Sequence, residues 1–364
     1  METKRANKVK SKKPIYILIA VMVFFILFIS LISMPSKLNT AIDEIQVSAN
    51  MNEVKSIFDK YKFDLLETDK NGNKSIAIEF QDEVRKKLST FNLNEEEIKQ
   101  CLEWLPTAKT SINVIVVPDL SRRILDQINN PNQVTNDKII LSNIWKSFVE
   151  VSMLKQDSKD KLIIDVTDVE QAKGQFNAIA NNLQFDLSSH KGKSNRLYFT
   201  ADKTDQFNMG IEKMYNSAIQ KPLGADYVFY FKRYLESRIK KNTLFENYVN
   251  KIVLITDGYL EAEDRAADTK LTPQLYKSLI IGNTNEMISM LGLNIPKVNV
   301  DLSNTEILIC EVNERKTGKG KDFEILKAYW TDWLQRMNAR KIQFSHREQA
   351  TDITVNTINQ FIKQ

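Results

Sequence analysis

The sequence I-N-V-I-V-V at residues 112–117 leads directly into Pro118 and Asp119. The run is short, rich in Ile and Val and almost free of polar interruption, which is typical of a strand buried on both faces of a sheet. A second such run, K-I-V-L-I at 251–255, leads into T-D-G, which contains Asp257. The two runs predict a central sheet with an aspartate just beyond the end of each strand.

Similar runs recur along the chain, with helical stretches between most of them. The other predicted strands are K-L-I-I-D-V-T-D (161–168), N-R-L-Y-F-T (195–200), E-I-L-I-C-E-V (306–312) and K-I-Q-F-S (341–345). The predicted helices are Lys138–Leu154, Phe207–Ala218, Tyr227–Lys241, Leu275–Met290, Phe323–Met337 and Asp352–Ile362. Strands that alternate with helices predict an α/β domain with a mostly parallel sheet, which begins near residue 110 and extends to residue 364.

The amino-terminal residues predict a membrane anchor. Residues 15–32 form an apolar run that at 1.5 Å per residue spans roughly 27 Å, close to the hydrocarbon thickness of a bilayer. Six basic residues against one acidic residue in 1–13 predict that this end is cytoplasmic. A cleaved signal peptide is the alternative, although its apolar region is normally shorter. We therefore predict a basic cytoplasmic tail (1–13), a transmembrane helix (14–34) in the inner membrane, and a remainder outside the cytoplasm.

The net positive charge of the chain comes entirely from that tail. The 364 residues include 51 Lys and Arg against 46 Asp and Glu, so the residues beyond the tail are balanced. A balanced surface disfavours nucleic acid as a partner. Two Cys and two His exclude a disulfide scaffold and a multi-His metal site, and leave a bond between Cys101 and Cys310 open.

Residues 35–109 predict a stalk and a small α+β segment between the anchor and the α/β domain. Polar and apolar residues alternate at helical spacing over 37–61. Two short alternating runs then flank Asn71-Gly72, which is a strong hairpin signal.

Oxygen-bearing side chains follow the predicted strands. In open α/β sheets, ligands bind at the carboxyl ends of the strands, so we expect Asp119, Ser121 and Asp257 to face one crevice. Thr204 and Asp205 precede the next predicted helix and would supply further oxygens. Hard oxygen ligands of this kind suit Mg²⁺, Mn²⁺ or Ca²⁺.

D-x-S after one strand, T-D-G after a later strand and the helix opening N-M-G-I-E-K-M together resemble the von Willebrand factor A domain family over roughly residues 110–364. The resemblance implies a Rossmann-like fold and a protein-binding function. It also implies a metal-ion-dependent adhesion site, in which D-x-S-x-S, a loop Thr and the T-D-G Asp hold a divalent cation that takes a carboxylate from the partner. Carried over, the metal ligands are Asp119, Ser121 and Asp257, with Thr204 and Asp205 as additional candidates.

Arg123 stands where that motif has its second Ser. A fixed positive charge a few Å from a divalent cation repels it, and an Arg side chain keeps its proton. Either Arg123 swings away from a weakened metal site, or its guanidinium fills the site and pairs with Asp119 or Asp257. The second arrangement is favoured because buried carboxylates need a counter-charge. The expected cofactor is therefore none, or a weakly bound divalent cation.

The predicted function is that of a membrane-anchored scaffold protein of the bacterial envelope. It would bind another envelope or membrane protein through Asp119, Ser121, Arg123 and Asp257, and residues 14–34 would contact the lipid bilayer. No catalytic residues are assigned and no enzymatic activity is predicted. The alternatives are a metal-assisted hydrolase that acts at Asp119 and Asp257, and a structural subunit whose strand-end site is vestigial.

Overall fold

The structure is a computed structural model that describes residues 36–68, 72, 74–107, 109–155, 158–190, 192–224, 226–260, 279, 284–314, 322–348 and 350–364. The predicted cytoplasmic tail (1–13) and transmembrane helix (14–34) lie outside the described residues. Among the helices in those described ranges, none has the length and apolar character needed to cross a membrane. The chain divides into two compact units, the first ending at Pro106 and the second beginning at Thr107.

The first unit combines helices with a short hairpin. Strands β1 (Leu66–Thr68) and β2 (Lys74–Ile76) pair antiparallel, which confirms the hairpin predicted around Asn71-Gly72. The ring centroids of Phe80 and Trp104 lie 5.9 and 5.0 Å from that of Phe58, and these three rings pack together in the first unit. The helices described in this unit are α1 (Lys37–Val47), α2 (Met51–Tyr61), α3 (Ile78–Leu88) and α4 (Glu95–Trp104).

In the described part of the second unit, six strands form one mostly parallel sheet. Their order is β5-β4-β3-β6-β7-β8, and of these six the edge strand β5 alone runs antiparallel to its neighbour. The predicted α/β class with a mostly parallel sheet is thereby confirmed. The strands are β3 (Ser111–Pro118), β4 (Lys161–Ile164), β5 (Gln184–Asp186), β6 (Tyr248–Ile255), β7 (Thr305–Val312) and β8 (Lys341–His346).

Helices flank both faces of this sheet. Along β3, Val114 and Val116 point into one apolar core, and Ile115 and Val117 point into the other, which explains the unbroken apolar run. Five helices contribute buried or partly buried residues to the first core. They are α5 (Gln133–Leu154), α6 (Val169–Lys173), α7 (Gln175–Ile179), α8 (Lys193–Gln220) and α13 (Thr351–Lys363). The second includes residues of α9 (Tyr227–Tyr230), a π-helical turn (Phe231–Leu235), α11 (Thr284–Met290) and α12 (Asp322–Gln335), with α10 (Glu236–Arg238) following the turn.

The strand predicted at residues 195–200 is wrong, because these residues lie in α8. Arg196 and Thr200 are buried, whereas Leu197 and Tyr198 are exposed, so burial follows the repeat of a helix rather than the alternation of a strand. The third strand in chain order is instead β5, whose three residues are too few to carry a periodic signal. The two cysteines, Cys101 and Cys310, are both free and buried, so they form no disulfide.

Arg196 is the buried residue of this stretch that bonds to the end of another helix. Its fully buried guanidinium donates to the backbone carbonyls of Ser152 at 2.8 Å and Lys155 at 2.6 Å, and to that of Ser158. The last carbonyls of a helix lack the regular intrahelical donors, so a side chain that reaches them adds hydrogen bonds at the helix end. The Asp160 carboxylate, 3.7 Å from Arg196 Nη1, compensates the charge. Arg196 therefore joins the beginning of α8 to the end of α5.

Replacing Arg196 by Ala should lower the free energy of unfolding by about 3 kcal/mol, because it removes several buried charge-assisted hydrogen bonds and leaves Asp160 with less compensation. Urea unfolding followed by circular dichroism measures the change. The matched control is Arg233→Ala, which removes an exposed guanidinium and should change stability by less than about 0.5 kcal/mol. Similar losses in both variants would contradict this role of Arg196.

Candidate functional site

The two central strands define the switch point of the sheet. From β3 the strand order runs outward through β4 and β5, and from β6 it runs in the opposite direction through β7 and β8. Ligands of doubly wound sheets bind outside the carboxyl ends of the strands at this point. Pro118 is paired with Ile255, so Asp119 and Asp257 follow neighbouring parallel strands at the same edge. The structure thus brings these two predicted residues together.

The carboxylate of Asp119 joins the ends of the two central strands. Its Oδ1 accepts the backbone N–H of Ser121 at 3.0 Å, and its Oδ2 accepts the hydroxyl of Thr256 at 3.0 Å. The Asp119 N–H donates to the carbonyl of Ile255 at 2.9 Å. Both oxygens of this buried carboxylate are therefore engaged within the chain.

Ser121 begins the short turn that follows. Its Oγ accepts the backbone N–H of Arg123 at 3.3 Å and caps the 3₁₀ turn Arg122–Leu125. Capping is a common role for a Ser that lies between a strand and a helical turn. The turn directs the side chain of Arg123 back under the strand ends while Arg122 remains exposed.

Arg123 places a positive charge among the carboxylates. Its Nη2 donates to Asp137 Oδ2 at 3.0 Å and to the carbonyls of Asp119 and Ile255 at 3.2 Å each, and its Nε lies 3.6 Å from Asp119 Oδ2. Burial alone would favour the neutral form, but Asp137, Asp119 and Asp257 hold the pKa of Arg123 above its usual value. This geometry is the one in which the guanidinium fills the strand-end site.

Asp137 is a site residue that the sequence reasoning missed. It lies on α5 without exposed surface and accepts hydrogen bonds from Gln133 Nε2 at 2.5 Å and from the Tyr215 hydroxyl at 3.0 Å. Burial raises the pKa of Asp137 to about 6, although Arg123 opposes the shift. The sequence carried a signal for this position. Asp137 precedes Ile140 by three residues and Ile144 by seven, a spacing that places all three on the same face of a helix.

A second buried ion pair extends this network along the edge. Glu311 lies in β7 with φ +67°, a left-handed conformation that costs a non-glycine residue about 1–3 kcal/mol. Its carboxylate accepts the Thr354 hydroxyl at 2.6 Å and lies 3.9 Å from Arg347 Nε. Arg347 donates to Asn130 Oδ1 at 3.2 Å and to Gln133 Oε1, which connects it to the partner of Asp137.

Asp257 is the second strand-end carboxylate. Its Oδ1 accepts a hydrogen bond from the backbone N–H of Tyr259 at 3.2 Å. Its backbone carbonyl accepts a hydrogen bond from the backbone N–H of Asn313, also at 3.2 Å. The next residue, Gly258, has φ +92°, and a Cβ there would lie 3.1 Å from Val312 Cγ1. The T-D-G turn therefore requires glycine at its third position.

Thr204 and Asp205 do not join this cluster. Both lie within α8, where the Thr204 hydroxyl donates to the carbonyl of Thr200 at 2.8 Å and accepts Trp145 Nε1 at 3.1 Å, and where Asp205 is exposed. The residue of α8 that reaches the cluster is Tyr215, which lies roughly 16 Å further along a helix that rises 1.5 Å per residue. Assigning 195–200 to a strand set the predicted beginning of this helix too late.

The residues at this edge do not fit a divalent cation. Ser121 Oγ already serves as a cap, and a guanidinium that cannot lose its proton lies beside Asp119. Within the described ranges, no group of three or more His, Cys, Asp or Glu is arranged to hold a metal. Asp119 and Asp257 thus follow neighbouring strands at one edge, as the metal-site prediction requires, but Arg123 lies beside Asp119 as an internal cation.

The loop that follows β3 has an interior and an exterior. We call residues 120–132 the rim loop. Ser121 and Arg123 are buried, whereas Leu125 and Ile128 expose 46% and 67% of their surface. Other elements hold the loop in place, since Asn313 Nδ2 donates to the carbonyl of Asn129 and Arg347 donates to that of Pro131.

No protein-family model and no curated protein matches the chain. Among solved structures, it is similar to proximal thread matrix protein 1 from the mussel byssus, with 11% identity and a TM-score of 0.31, over 71% of this chain and 48% of that chain. It is also similar to the pilus adhesin SpaC from Lactobacillus rhamnosus GG, with 10% identity and a TM-score of 0.35, over 71% of this chain and 31% of that chain. The match thus spans about half and about a third of those two chains, and the von Willebrand factor A resemblance stays a prediction.

Replacing Arg123 by Ser should lower the free energy of unfolding by about 3–5 kcal/mol in metal-free buffer, because it leaves Asp119 and Asp137 buried without a counter-charge. Addition of Mn²⁺ should then raise the thermal midpoint of the variant and leave that of the parent chain unchanged. The neighbouring Arg122→Ser removes an exposed guanidinium and serves as the control. A Mn²⁺ response in the parent chain would refute the assignment of Arg123 as the internal cation.

Asp137 should make stability depend on pH. Its pKa is about 6 in the folded chain and 3.8 as the ordinary value, so the folded state retains this proton more strongly. As pH rises from about 4 to 6, the contribution of Asp137 to the unfolding free energy should therefore fall by roughly 3 kcal/mol. Asp137→Asn removes this titration. The unfolding free energy of the parent chain minus that of the variant should therefore fall between about pH 4 and pH 6. A difference independent of pH would contradict the shift.

Proposed function

We propose that this chain is a membrane-anchored, von Willebrand factor A-like protein that binds another protein of the bacterial envelope through the rim loop. The observation that carries the proposal is the exposure of Leu125 and Ile128 on a loop whose underside is fixed by buried charges. The two side chains lie at the edge where ligands of open α/β sheets bind, and the proposal places the partner there.

A fixed loop favours binding because little conformational entropy is lost when the partner docks. Arg123 holds the beginning of the rim loop through Asp119 and Asp137, and Arg347 holds its end through the carbonyl of Pro131. In this proposal binding requires no divalent cation, because the guanidinium of Arg123 supplies the positive charge that organises the strand ends.

The roles of the predicted partner-binding residues change accordingly. Asp119, Ser121, Arg123 and Asp257 are each at most 7% exposed, so they act as positioning residues that shape the rim loop. The side chains that touch the partner are Leu125 and Ile128, with the exposed Arg122 beside them. The complementary surface is therefore apolar.

The membrane part of the proposal rests on the sequence. The predicted transmembrane helix (14–34) and the basic residues of 1–13 would place the amino terminus in the cytoplasm and the α/β unit in the envelope space. A partner from the envelope would then have access to the rim loop without crossing a bilayer.

The hydrolase alternative has less support from the geometry. A general base must reach a proton of the substrate or of a catalytic water. Asp119 instead accepts hydrogen bonds from Ser121 and Thr256 with both of its oxygens and lies beside a permanent cation. The vestigial-subunit alternative would leave Leu125 and Ile128 exposed without a partner.

A photo-crosslinking amino acid at position 128 tests the proposal in cells that express the full chain. A specific adduct with one envelope protein should form there, and the substitution Leu125→Ser should reduce its yield about tenfold, because one apolar contact of the interface is lost. The adduct should form equally in the presence and absence of a chelator.

The matched control places the same crosslinker at Met290, which is exposed by 78% and lies in α11, outside the rim loop. Equal adduct formation at both positions, or an adduct at position 128 that persists unchanged in Leu125→Ser, would count against the rim loop as the binding surface.

A further inference from the structure

A second concave site lies at the opposite, amino-terminal edge of the sheet. A cavity of about 400 Å³ opens where β3 and β6 begin and where α5 and α13 end. Glu306 is the acidic side chain among its lining residues. The basic side chains that line it come from distant parts of the chain and are Lys109, Lys155, Lys251, Arg340 and Lys363.

Lys251 forms the deep end of this basic cavity. Its side chain is 3% exposed, and its Nζ donates to Glu306 Oε2 at 2.8 Å and to the carbonyl of Phe361 at 2.9 Å. Glu306 Oε1 also lies 3.8 Å from Arg340 Nε, and Arg340 is 55% exposed. One carboxylate therefore serves two cations, one buried and one at the mouth.

At the opposite wall, one carboxylate is again shared by two cations. Lys155 donates to the carbonyl of Thr110 at 3.1 Å and lies 3.7 Å from Asp160, which is also 3.7 Å from Arg196. Burial lowers the pKa of Lys155, and the nearby Lys251 and Arg196 lower it further although Asp160 opposes them. Positive charge at this wall is thus incompletely compensated.

The charges around the cavity leave an excess of cations. Lys363 pairs with Glu150 at 2.6 Å, so Glu150, Asp160 and Glu306 are the acidic side chains in these pairs. Against them stand four lining cations, Lys155, Lys251, Arg340 and Lys363, together with Arg196.

We propose that this basic cavity binds a phosphate group, carried either by a small phosphate ester or by a phospholipid headgroup. Ammonium and guanidinium groups that converge on one point are the donors that proteins use for phosphate. The volume lies within the range of small-molecule sites, about 300–1,000 Å³. Apolar side chains of Ile112, Val151, Val249 and Ile362 also line the cavity and would contact the organic part of the ligand.

The site is independent of the proposed protein-binding function. The rim loop lies at the carboxyl ends of the strands, and the basic cavity lies at their amino ends, so each proposal can fail without the other. The acidic residues at the cavity are Glu150, Asp160 and Glu306. Those that pair with Arg123 are Asp119 and Asp137.

Isothermal titration of the full chain in uncharged detergent at constant ionic strength tests the proposal with inorganic phosphate and with short-chain phosphatidic acid. Saturable binding of at least one probe is expected. The double substitution Lys109→Gln and Arg340→Gln should weaken that binding at least tenfold, because two of the charge-assisted contacts are lost. Lys221→Gln, which removes one exposed cation near the other edge of the sheet, should leave binding unchanged.

The two probes distinguish the sources of the phosphate group. Binding of inorganic phosphate supports a small phosphate ester, and binding of phosphatidic acid alone supports a lipid headgroup. Short-chain phosphatidylcholine controls for the acyl chains. Absence of saturable binding with both probes, or equal weakening in Lys221→Gln, would overturn the proposal. If the double variant unfolds earlier than the parent chain, Lys363→Gln provides the same comparison with one partly exposed charge removed.

Discussion

The guanidinium of Arg123 imposes a constraint on the whole carboxyl edge of the sheet. It cannot release its proton, so its burial requires carboxylates within a few Å, and Asp137 and Asp119 meet that requirement at 3.0 and 3.6 Å. Each carboxylate is positioned in turn by neutral donors, Tyr215 for Asp137 and Thr256 for Asp119. The ends of β3 and β6 and the helices α5 and α8 therefore depend on one another through a single charge.

A buried ion pair seldom stabilises a fold more than well-packed apolar residues would, so its value lies in the geometry that it specifies. Here that geometry is the path of the rim loop, whose interior carries Arg123 and whose exterior carries Leu125 and Ile128. The left-handed backbone of Glu311 fits the same interpretation, because its buried pairing with Arg347 holds the far end of the loop. We read the edge as a rigid support for an apolar surface.

The two edges of the sheet have opposite charge balance. At the carboxyl edge, acidic residues surround Arg123 and the site is closed. At the amino edge, Glu306 and Asp160 are each shared by two cations around an open cavity. Beyond the basic tail the chain is neutral in sum, so this separation of charge is visible only when the residues are placed in space.

The sequence alone determined most of the sheet, since the apolar runs 112–117 and 251–255 are typical of strands buried on both faces, and aspartates that follow neighbouring parallel strands share an edge. It also indicated that Arg123 would disfavour a divalent cation, because an Arg side chain keeps its positive charge when it is buried. The tertiary structure decided which side chains meet that charge. Asp137 and Tyr215 come from two helices whose relative positions no local pattern encodes. Residues 195–200 are apolar enough for a strand or a helix, and the contact of Arg196 with the carbonyl of Ser152 exists only when α5 and α8 are packed together.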